Sequence, residues 1–295
     1  MKYVKNTTIL SIFILMIACS DGTEKADGYG NFEATETIIS SETNGKIMQF
    51  NIEEGSMLIE NTFIGYIDTV QLSLKRDQLL ISKKILASKS ISVLSQIAVL
   101  EAKLQSLNIA KTRIENLLKD NAGTQKQLDE VDGEINIVKQ QIKSIEFQNL
   151  PILNESKNID IQLNQVHHYI LKSKIINPQN GTVIAKYAEP NEITSFGKPL
   201  YKIADLNAMK LRVYLSEKQL SKIQIGQKVT IKIDDGSSMK SYDGKIIWIA
   251  SEAEFTPKII QTKEERVRLV YAVKIAVIND GSIKIGMPAE MWMSN

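Results

Sequence analysis

Apolar residues recur at intervals of seven along the middle of the chain. One position of this heptad is apolar at every repeat: Leu72, Leu79, Leu86, Val93, Leu100, Leu107 and Ile114. The companion position holds Ile97, Leu104 and Leu118 and is interrupted by Arg76, Lys83, Ser90 and Lys111. Such a repeat is typical of a coiled-coil helix, and neither Gly nor Pro occurs between Val70 and Lys119. We therefore expect one uninterrupted helix of roughly 75 Å, at about 1.5 Å per residue.

A second heptad pattern follows Gly123. One position holds Val131, Val138, Ile145, Ile152, Ile159 and Val166, and the other holds Leu128, Ile135, Ile142, Leu163 and Ile170 with interruptions at Asn149 and Ser156. Between the two patterns, Asp120-Asn121-Ala122-Gly123 favours a reversal, and Thr124 with Gln127 favours a capping box. The pattern predicts an antiparallel α-helical coiled-coil hairpin over 69–173 with its tip near 119–124. Pro151 is expected to kink or break the second helix, and Gly133 to weaken it.

Short β segments flank the predicted hairpin. Turn residues punctuate 38–68 and 174–205 every eight to ten residues, which is typical of a compact β unit. The two segments also resemble each other, GKIMQFNIEEGSMLIENTFIGYID against GTVIAKYAEPNEITSFGKPLYKIAD. Such an internal repeat, split by a helical insertion, predicts that the two halves pair in space as one split β domain.

Alternating segments continue to the end of the chain. GQKVTIKID and GKIIWIA alternate apolar and polar residues at period two, so 206–260 is predicted to form a β-barrel of about six strands around one short helix. The remaining segment, 261–295, is expected to pair with 29–37 and close a third small β domain from both ends of the chain. The predicted fold class is mainly β with a long α-helical hairpin, in an elongated chain of several domains.

The first 18 residues have the features of a secretory signal. Lys2 and Lys5 precede the apolar run ILSIFILMI, which is too short to span a bilayer. The stretch LMIAC ending at Cys19 resembles the lipobox of bacterial lipoproteins, which implies that Cys19 is acylated and becomes the mature N-terminus. Residues 19–28 then form a polar tether, and no further segment is expected to cross a membrane. The alternative is an ordinary signal peptide in which Cys19 has no role.

Composition removes several classes of function. The chain has 36 basic and 34 acidic residues, a balance that argues against nucleic acid as a partner. With one cysteine and two histidines, it lacks the ligands of a structural zinc site. Adjacent His167 and His168 point about 100° apart on a helix, and no phosphate-binding loop or nucleophile elbow is present. We expect neither an enzyme nor a bound cofactor.

The order of the motifs resembles one family. Its residues are Gly45-Lys46-Ile47 with Glu54-Gly55, Asn177-Pro178-Gln179-Asn180-Gly181-Thr182-Val183, Gly197-Lys198-Pro199-Leu200-Tyr201-Lys202-Ile203-Ala204-Asp205, Gly226-Gln227-Lys228-Val229 and Gly286-Met287-Pro288-Ala289-Glu290. In this order, around a coiled-coil hairpin, they are similar to the periplasmic adaptors (membrane fusion proteins) of the HlyD/MacA/AcrA type. A segment from Phe255 to Tyr271 resembles the branch that serves ABC exporters.

The resemblance implies a function and its partners. An adaptor of this family links an inner-membrane transporter, here of ABC type, to an outer-membrane channel of TolC type, and assembles as a homo-hexamer. Some members contact the channel through Arg-x3-Leu-x6-Ser at the hairpin tip, which corresponds here to Arg113, Leu117 and Thr124. The inner membrane is the favoured site of the lipid anchor. Ser20 is an outer-membrane signal in some bacteria, so the outer membrane is the alternative site of the anchor.

Two other functions share features with this sequence. A lipoyl or biotinyl carrier needs an exposed lysine at the turn between the two β halves, and the hairpin occupies that place. A coiled-coil envelope lipoprotein that acts as a scaffold without a transport role needs the helices alone. The split β repeat distinguishes this scaffold from an adaptor, because only an adaptor requires both halves to return to the same domain.

Overall fold

The computed structural model describes residues 25–234, 236, 238–255 and 269–293. Its helices are α1 (Val70–Lys119), α2 (Gln125–Lys172) and the short α3 (Glu217–Leu220). The strands, in chain order, are β1 (Gly28–Glu33), β2 (Glu36–Ser40), β3 (Gly45–Phe50), β4 (Met57–Leu58), β5 (Phe63–Ile67), β6 (Lys174–Ile176), β7 (Gly181–Lys186), β8 (Ile193–Thr194), β9 (Pro199–Ala204), β10 (Ala208–Leu215), β11 (Lys228–Asp234), β12 (Met239–Ile249), β13 (Glu254–Phe255), β14 (Leu269–Ile278) and β15 (Pro288–Met293). The predicted fold class, mainly β with a long helical hairpin, is confirmed.

The two long helices form the antiparallel hairpin that the heptads predict. Helix α1 has 50 residues and α2 has 48, so each is more than 70 Å long at about 1.5 Å per residue. The buried apolar residues of the pair all occupy heptad positions: Leu79, Ile97, Ile135, Val138, Ile159 and Val166. Paired helices of this length are stabilised mainly by such packing rather than by helix propensity.

The expected break at Pro151 is not observed. Helix α2 continues through this residue from Gln125 to Lys172. Proline removes the N–H that would bond the carbonyl four residues earlier, at Phe147. Both Pro151 and Phe147 are exposed, so water can take the place of the missing donor. The exposed face of the helix therefore tolerates the proline without an end to the helix.

Helix α1 is apolar beyond its heptad positions. It contains an 18-residue window with a mean hydropathy of 1.4, so by length and composition it could cross a membrane. Its heptad side chains nevertheless pack against α2, and the additional apolar residues, such as Ile91 and Val99, are exposed. Their exposure gives the hairpin an apolar outer face besides the seam between its helices.

The split β repeat folds into two four-stranded sheets, with strand orders β2-β9-β7-β4 and β6-β5-β3-β8. The two halves pair as predicted: Gly45 of β3 lies opposite Thr194 of β8, and Phe63 of β5 lies opposite Ile176 of β6. Matched positions of the repeat also share backbone conformation. Gly55 and Asn191 have φ of 85° and 76°, and Asn61 and Gly197 have φ of 64° and 81°. Only Gly and Asn adopt these left-handed conformations readily.

Strands from both chain ends lie in one sheet with those of the predicted barrel. The order is β10-β1-β15-β11-β12-β14-β13, and β10 also pairs with β14, which closes a ring of six strands. Strand β1 lies between β10 and β15. The barrel and the third β domain, expected to be separate, are thus one hydrogen-bonded barrel. Strand β15 lies beside β1 as expected, but it also lies beside β11.

Alternation decides which side chains fill the barrel. In β10, Met209, Leu211, Val213 and Leu215 are fully buried, whereas the residues between them face outwards. Gly30 of β1 lies so close to β10 that a Cβ there would be 1.8 Å from the carbonyl oxygen of Arg212. A side chain at this position would separate the two strands, so the glycine permits the closure of the ring.

The chain divides into two compact units. One contains the described residues up to Thr37, Asn180–Ile184 and the described residues of Lys202–Asn295, and includes the barrel. The other contains Ile38–Gln179 and Ala185–Tyr201, and includes the hairpin.

Candidate functional site

The hairpin tip reverses the chain through two backbone hydrogen bonds. The N–H of Ala122 donates to the carbonyl of Leu117 at 2.8 Å, and the N–H of Asn121 donates to that of Leu118 at 3.1 Å. Asn121 has a φ of 59°. Two such bonds around a left-handed residue form a Schellman motif, which satisfies the last carbonyls of α1. The predicted reversal is thus made by the asparagine rather than by Gly123.

Thr124 begins α2 with the predicted capping box. Its hydroxyl accepts the N–H of Gln127 at 3.3 Å and donates to Oε1 of Gln127 at 3.0 Å. The same Oε1 accepts the backbone N–H of Thr124 at 3.0 Å. The hydroxyl has thus used its proton and one of its two lone pairs within the tip. One lone pair remains for a partner that donates.

Arg113 and Leu117 are four residues apart on α1 and therefore lie on one face of the helix. Both are exposed, and Leu117 exposes 42% of its surface although it is a large apolar residue. Within the described part of the chain, Arg113 has no ion pair. The tip therefore presents an unpaired guanidinium beside an apolar side chain, and Thr124 lies across the turn from them.

Gly123 helps to fix the position of Leu117. A Cβ at Gly123 would lie 3.3 Å from the Cβ of Leu117 and 3.3 Å from the backbone nitrogen of Leu118. These distances are tighter than ordinary contacts, so the turn packs directly against the last turn of α1. The exposed Leu117 side chain is therefore held at its base by the turn.

An ion pair close to the tip joins the two helices. Nζ of Lys111 lies 2.7 Å from Oδ1 of Asp132 and 3.9 Å from Oε1 of Glu115. The hydrogen bond to Asp132 raises the pKa of Lys111. Lys111 interrupts the heptad of α1, and its charge is satisfied by the opposite helix.

Two other interruptions of the α1 heptad, Ser90 and Lys83, are also paired with residues of α2. Ser90 of α1 donates its hydroxyl to Oδ1 of Asn149 of α2 at 2.9 Å, and Lys83 binds Asp160 at 2.6 Å. In the sequence, Ser90, Lys83 and Asn149 are recognisable only as breaks in the apolar pattern. Because polar residues interrupt the heptads of both helices, the sequence does contain a signal that such side chains face each other.

Both ends of the hairpin return to one β domain. The N–H of Ile67, just before α1, donates to the carbonyl of Ser173, just after α2, at 2.8 Å. Beside this junction, the fully buried Asn177 donates to the carbonyl of Ile59 at 2.9 Å and accepts the hydroxyl of Tyr201 at 3.0 Å. Burial raises the pKa of Tyr201 to about 12. Asn177 thus ties both halves of the repeat together at the base of the hairpin.

Some predicted features fall elsewhere. Cys19 and most of the segment that resembles the ABC-exporter branch, 256–268, lie outside the described residues. His167 and His168 are exposed near the end of α2. Across the described ranges, no group of three or more His, Cys, Asp or Glu residues could hold a metal ion.

Sequence comparison finds partial relatives. No family model matches the chain. It is 36% identical over 117 residues to the UPF0194 membrane protein in the asrC 5′ region of Acidithiobacillus ferridurans, covering 39% of this chain and 34% of that protein. It is 32% identical over 122 residues to a UPF0194 membrane protein of Citrobacter koseri, covering 41% of this chain and 37% of that protein. The matches span about a third of the length of these curated relatives.

Structural comparison covers nearly the whole chain. MacA from Actinobacillus actinomycetemcomitans matches with a TM-score of 0.54 and 19% identity, over 90% of this chain and 76% of that one. A MacA-MexA chimera with the Pseudomonas aeruginosa MexA α-hairpin domain matches at 0.52 and 19%, over 90% and 78%. The membrane fusion protein Spr0693 from Streptococcus pneumoniae R6 matches at 0.50 and 15%, over 89% and 98%. The chain therefore has the fold of the membrane fusion proteins, the periplasmic adaptors of the HlyD/MacA/AcrA type.

Proposed function

We propose that the chain is a periplasmic adaptor of a tripartite efflux or secretion system. It links an inner-membrane transporter, of ABC type, to an outer-membrane channel of TolC type, and forms part of the export conduit. The observation that carries this proposal is the split β domain. Its two halves flank the hairpin in the sequence and pair with each other in space. The hairpin thus extends from a single folded β domain, and its exposed tip lies more than 70 Å from that domain along the helices.

The alternative is a coiled-coil envelope lipoprotein that acts only as a scaffold. Such a protein requires the paired helices but gives no reason for the interleaved halves or for the hydrogen bonds of Asn177 between them. The partial relatives are named as membrane proteins, which fits an envelope location for either function. The split domain favours the adaptor.

At the tip, Arg113, Leu117 and Thr124 are the residues proposed to contact the channel. A guanidinium offers several N–H donors for backbone carbonyls or carboxylates. Leu117 supplies an exposed apolar group that would be buried on contact. Thr124 contributes mainly by shaping the turn, since its proton is already donated to Gln127.

The outer face of the hairpin supports the proposed homo-oligomer. Ile91, Val99 and other large apolar residues of α1 remain exposed in the single chain, and such faces commonly mark protein interfaces. Copies packed side by side, six of them as in the family that the sequence resembles, would cover this face and form a tube. Substrate would pass through the tube, driven by ATP hydrolysis in the transporter.

Acylation of Cys19 is proposed to hold the protein on the inner membrane, with the outer membrane as the alternative set by Ser20. Several acyl chains anchor a protein firmly, because each buried CH₂ contributes about 0.8 kcal/mol. The β units would then lie on the periplasmic side of the membrane.

The test is a pull-down of the tagged, full-length protein from its native envelope in mild detergent, analysed by mass spectrometry. Joint recovery of an ABC-type permease and an outer-membrane channel is the expected result. Recovery of neither, with the protein alone in the outer membrane, would reject the adaptor and leave the scaffold.

A further inference from the structure

At one end of the barrel, the sequence that precedes β1 leads back to Cys19. Strand β1 begins there with Gly28, which lies opposite Met291 of β15. The antiparallel pairs Tyr29 with Tyr214 and Val229 with Met293 place the last residues of β10 and the first of β11 at the same end. We call it the tether end. The opposite end carries the last residue of β14, Ile278, paired with Ala208.

A short segment, α3 and residues 221–228, closes the tether end. Its inner side is apolar, because Ile223 belongs to the buried core of the barrel and Leu220 packs against that core. The N–H of Gly226 donates to the carbonyl of Ile246 at 2.8 Å, which joins the segment to β12. The segment is therefore a fixed part of the barrel and presents a defined outer surface.

That outer surface is basic, with an apolar residue in its middle. Lys218, Lys222 and Lys228 are exposed and have no ion pair within the described parts of the chain. Between the last two lies Ile225, which exposes 67% of its surface. Among the described residues at this end, Asp27 accepts the N–H of Met293 and Glu254 binds Arg212. Glu217 and Glu252 are the exposed acidic residues beside the three lysines.

The length of the tether limits how far this surface can be from a membrane. Gly28 is nine positions after Cys19, and a chain spans at most about 3.3–3.6 Å per residue, so the distance cannot exceed roughly 30 Å. This step rests on the proposed acylation of Cys19. If Cys19 lies in the bilayer surface, the tether end is the end of the barrel held beside it.

We propose that the surface formed by Lys218, Lys222, Ile225 and Lys228 docks on the phospholipid bilayer. The lysines bind the phosphates of anionic headgroups, and Ile225 inserts beneath them. A basic surface with an apolar centre is the arrangement that binds the membrane interface. The contact can be weak in itself, because the tether keeps its local concentration high. Docking would orient the barrel relative to the membrane rather than anchor it.

The test uses the acylated full-length chain, purified and reconstituted alone in vesicles of phosphatidylethanolamine and phosphatidylglycerol. Ile225→Cys and, as the matched control, Ile278→Cys each carry one fluorophore; Ile278 is 85% exposed at the opposite end. The thioether of an acylated Cys19 does not react with the label. Brominated lipid is expected to quench the label at 225 at least threefold more than the label at 278. Equal quenching at both positions would overturn the proposal.

A second variant tests the charges. Lys218→Glu, Lys222→Glu and Lys228→Glu together, in the Ile225→Cys background, are expected to reduce quenching to the level of the control. Retained quenching would overturn the role of the lysines, and a mass showing no acyl group on Cys19 would remove the tether and overturn the proposal. Because these vesicles contain neither transporter nor channel, the result is independent of the pull-down that tests the adaptor.

Discussion

Ser90 and Asn149 meet inside the hairpin, where the hydroxyl of Ser90 donates to Oδ1 of Asn149 at 2.9 Å. Each interrupts the apolar heptad of its own helix, and Asn149 is buried. A polar pair in the core of a coiled coil costs stability but penalises every alignment that separates its members. We infer that this pair fixes the register of α1 against α2, and with it the residues that reach the tip.

Replacing the pair by apolar residues tests this inference. Ser90→Ala with Asn149→Leu is expected to raise the melting temperature of the helical signal while relaxing the register. Zero-length carbodiimide cross-linking reports the register directly, because Lys83 with Asp160 and Lys111 with Asp132 are ion-paired across the hairpin. The variant should form fewer Lys83–Asp160 and Lys111–Asp132 cross-links than the wild type. A cross-link map unchanged from the wild type would contradict the inference.

The cap at the tip gives a second prediction. Thr124→Ala removes the acceptor of the Gln127 N–H and should lower the free energy of unfolding of the hairpin by about 1 kcal/mol. Thr124→Ser keeps the hydroxyl and should stay close to the wild type. Hydrogen exchange of the amides in the first turn of α2 measures the difference. Equal protection in both variants would show that the capping box does not stabilise this end.

Tyr201 gives a prediction for alkaline pH. Its pKa is raised to about 12 by burial, above the usual value of about 10, so the folded domain favours the neutral phenol. The contribution of the neutral Tyr201 phenol to the free energy of unfolding is complete below pH ~10 and is lost as the pH rises towards 12. In a titration followed by tyrosinate absorbance, the difference between wild type and Tyr201→Phe should show one group titrating near pH 12. A midpoint near 10 would be inconsistent with a buried phenol.

The apolar outer face of α1 predicts association between copies. Ile91→Lys with Val99→Lys adds charge to this face without touching the heptad seam, so the hairpin should remain helical while the oligomer dissociates. Native mass spectrometry in mild detergent measures the assembly. Asn108→Lys, at an exposed position of the same helix that neighbours neither Ile91 nor Val99, is the control and should leave the assembly intact. An unchanged oligomer in the double variant would place the interface elsewhere.

The sequence was sufficient for the helical hairpin and the split β domain, because both depend on local periodicity. Heptads fix which faces pack, and Gly55, Asn61, Asn191 and Gly197 mark the same turns in both halves of the repeat. The barrel was harder to assign, since β1 and β15 are far apart in the chain and their neighbours β10 and β11 are set by long-range pairing. The expected break at Pro151 was wrong, because the cost of a proline within a helix depends on its exposure, which the sequence does not state.

The tip was predictable in outline and not in detail. Spacing identified Arg113, Leu117 and Thr124, but the contact between Gly123 and Leu117 depends on how closely the turn approaches the helix. The partners of Lys111 and Ser90 likewise depend on the register between two helices, which no single heptad pattern specifies.

The adaptor account predicts distinct effects for substitutions at the tip. Arg113→Asp and Leu117→Ser should each lose the outer-membrane channel from the pull-down and keep the permease, because only the tip is changed. Leu80→Ser is the matched control, since Leu80 exposes 42% of its surface, as Leu117 does, and lies far from the tip on the same helix.

The most direct test of the account is photo-cross-linking in living cells from a benzophenone side chain at position 117, with position 80 as the control. Position 117 is expected to capture an outer-membrane channel subunit, whereas position 80 is not. Capture of no channel from position 117, or equal capture from both positions, would contradict the claim that the hairpin tip joins this protein to a channel.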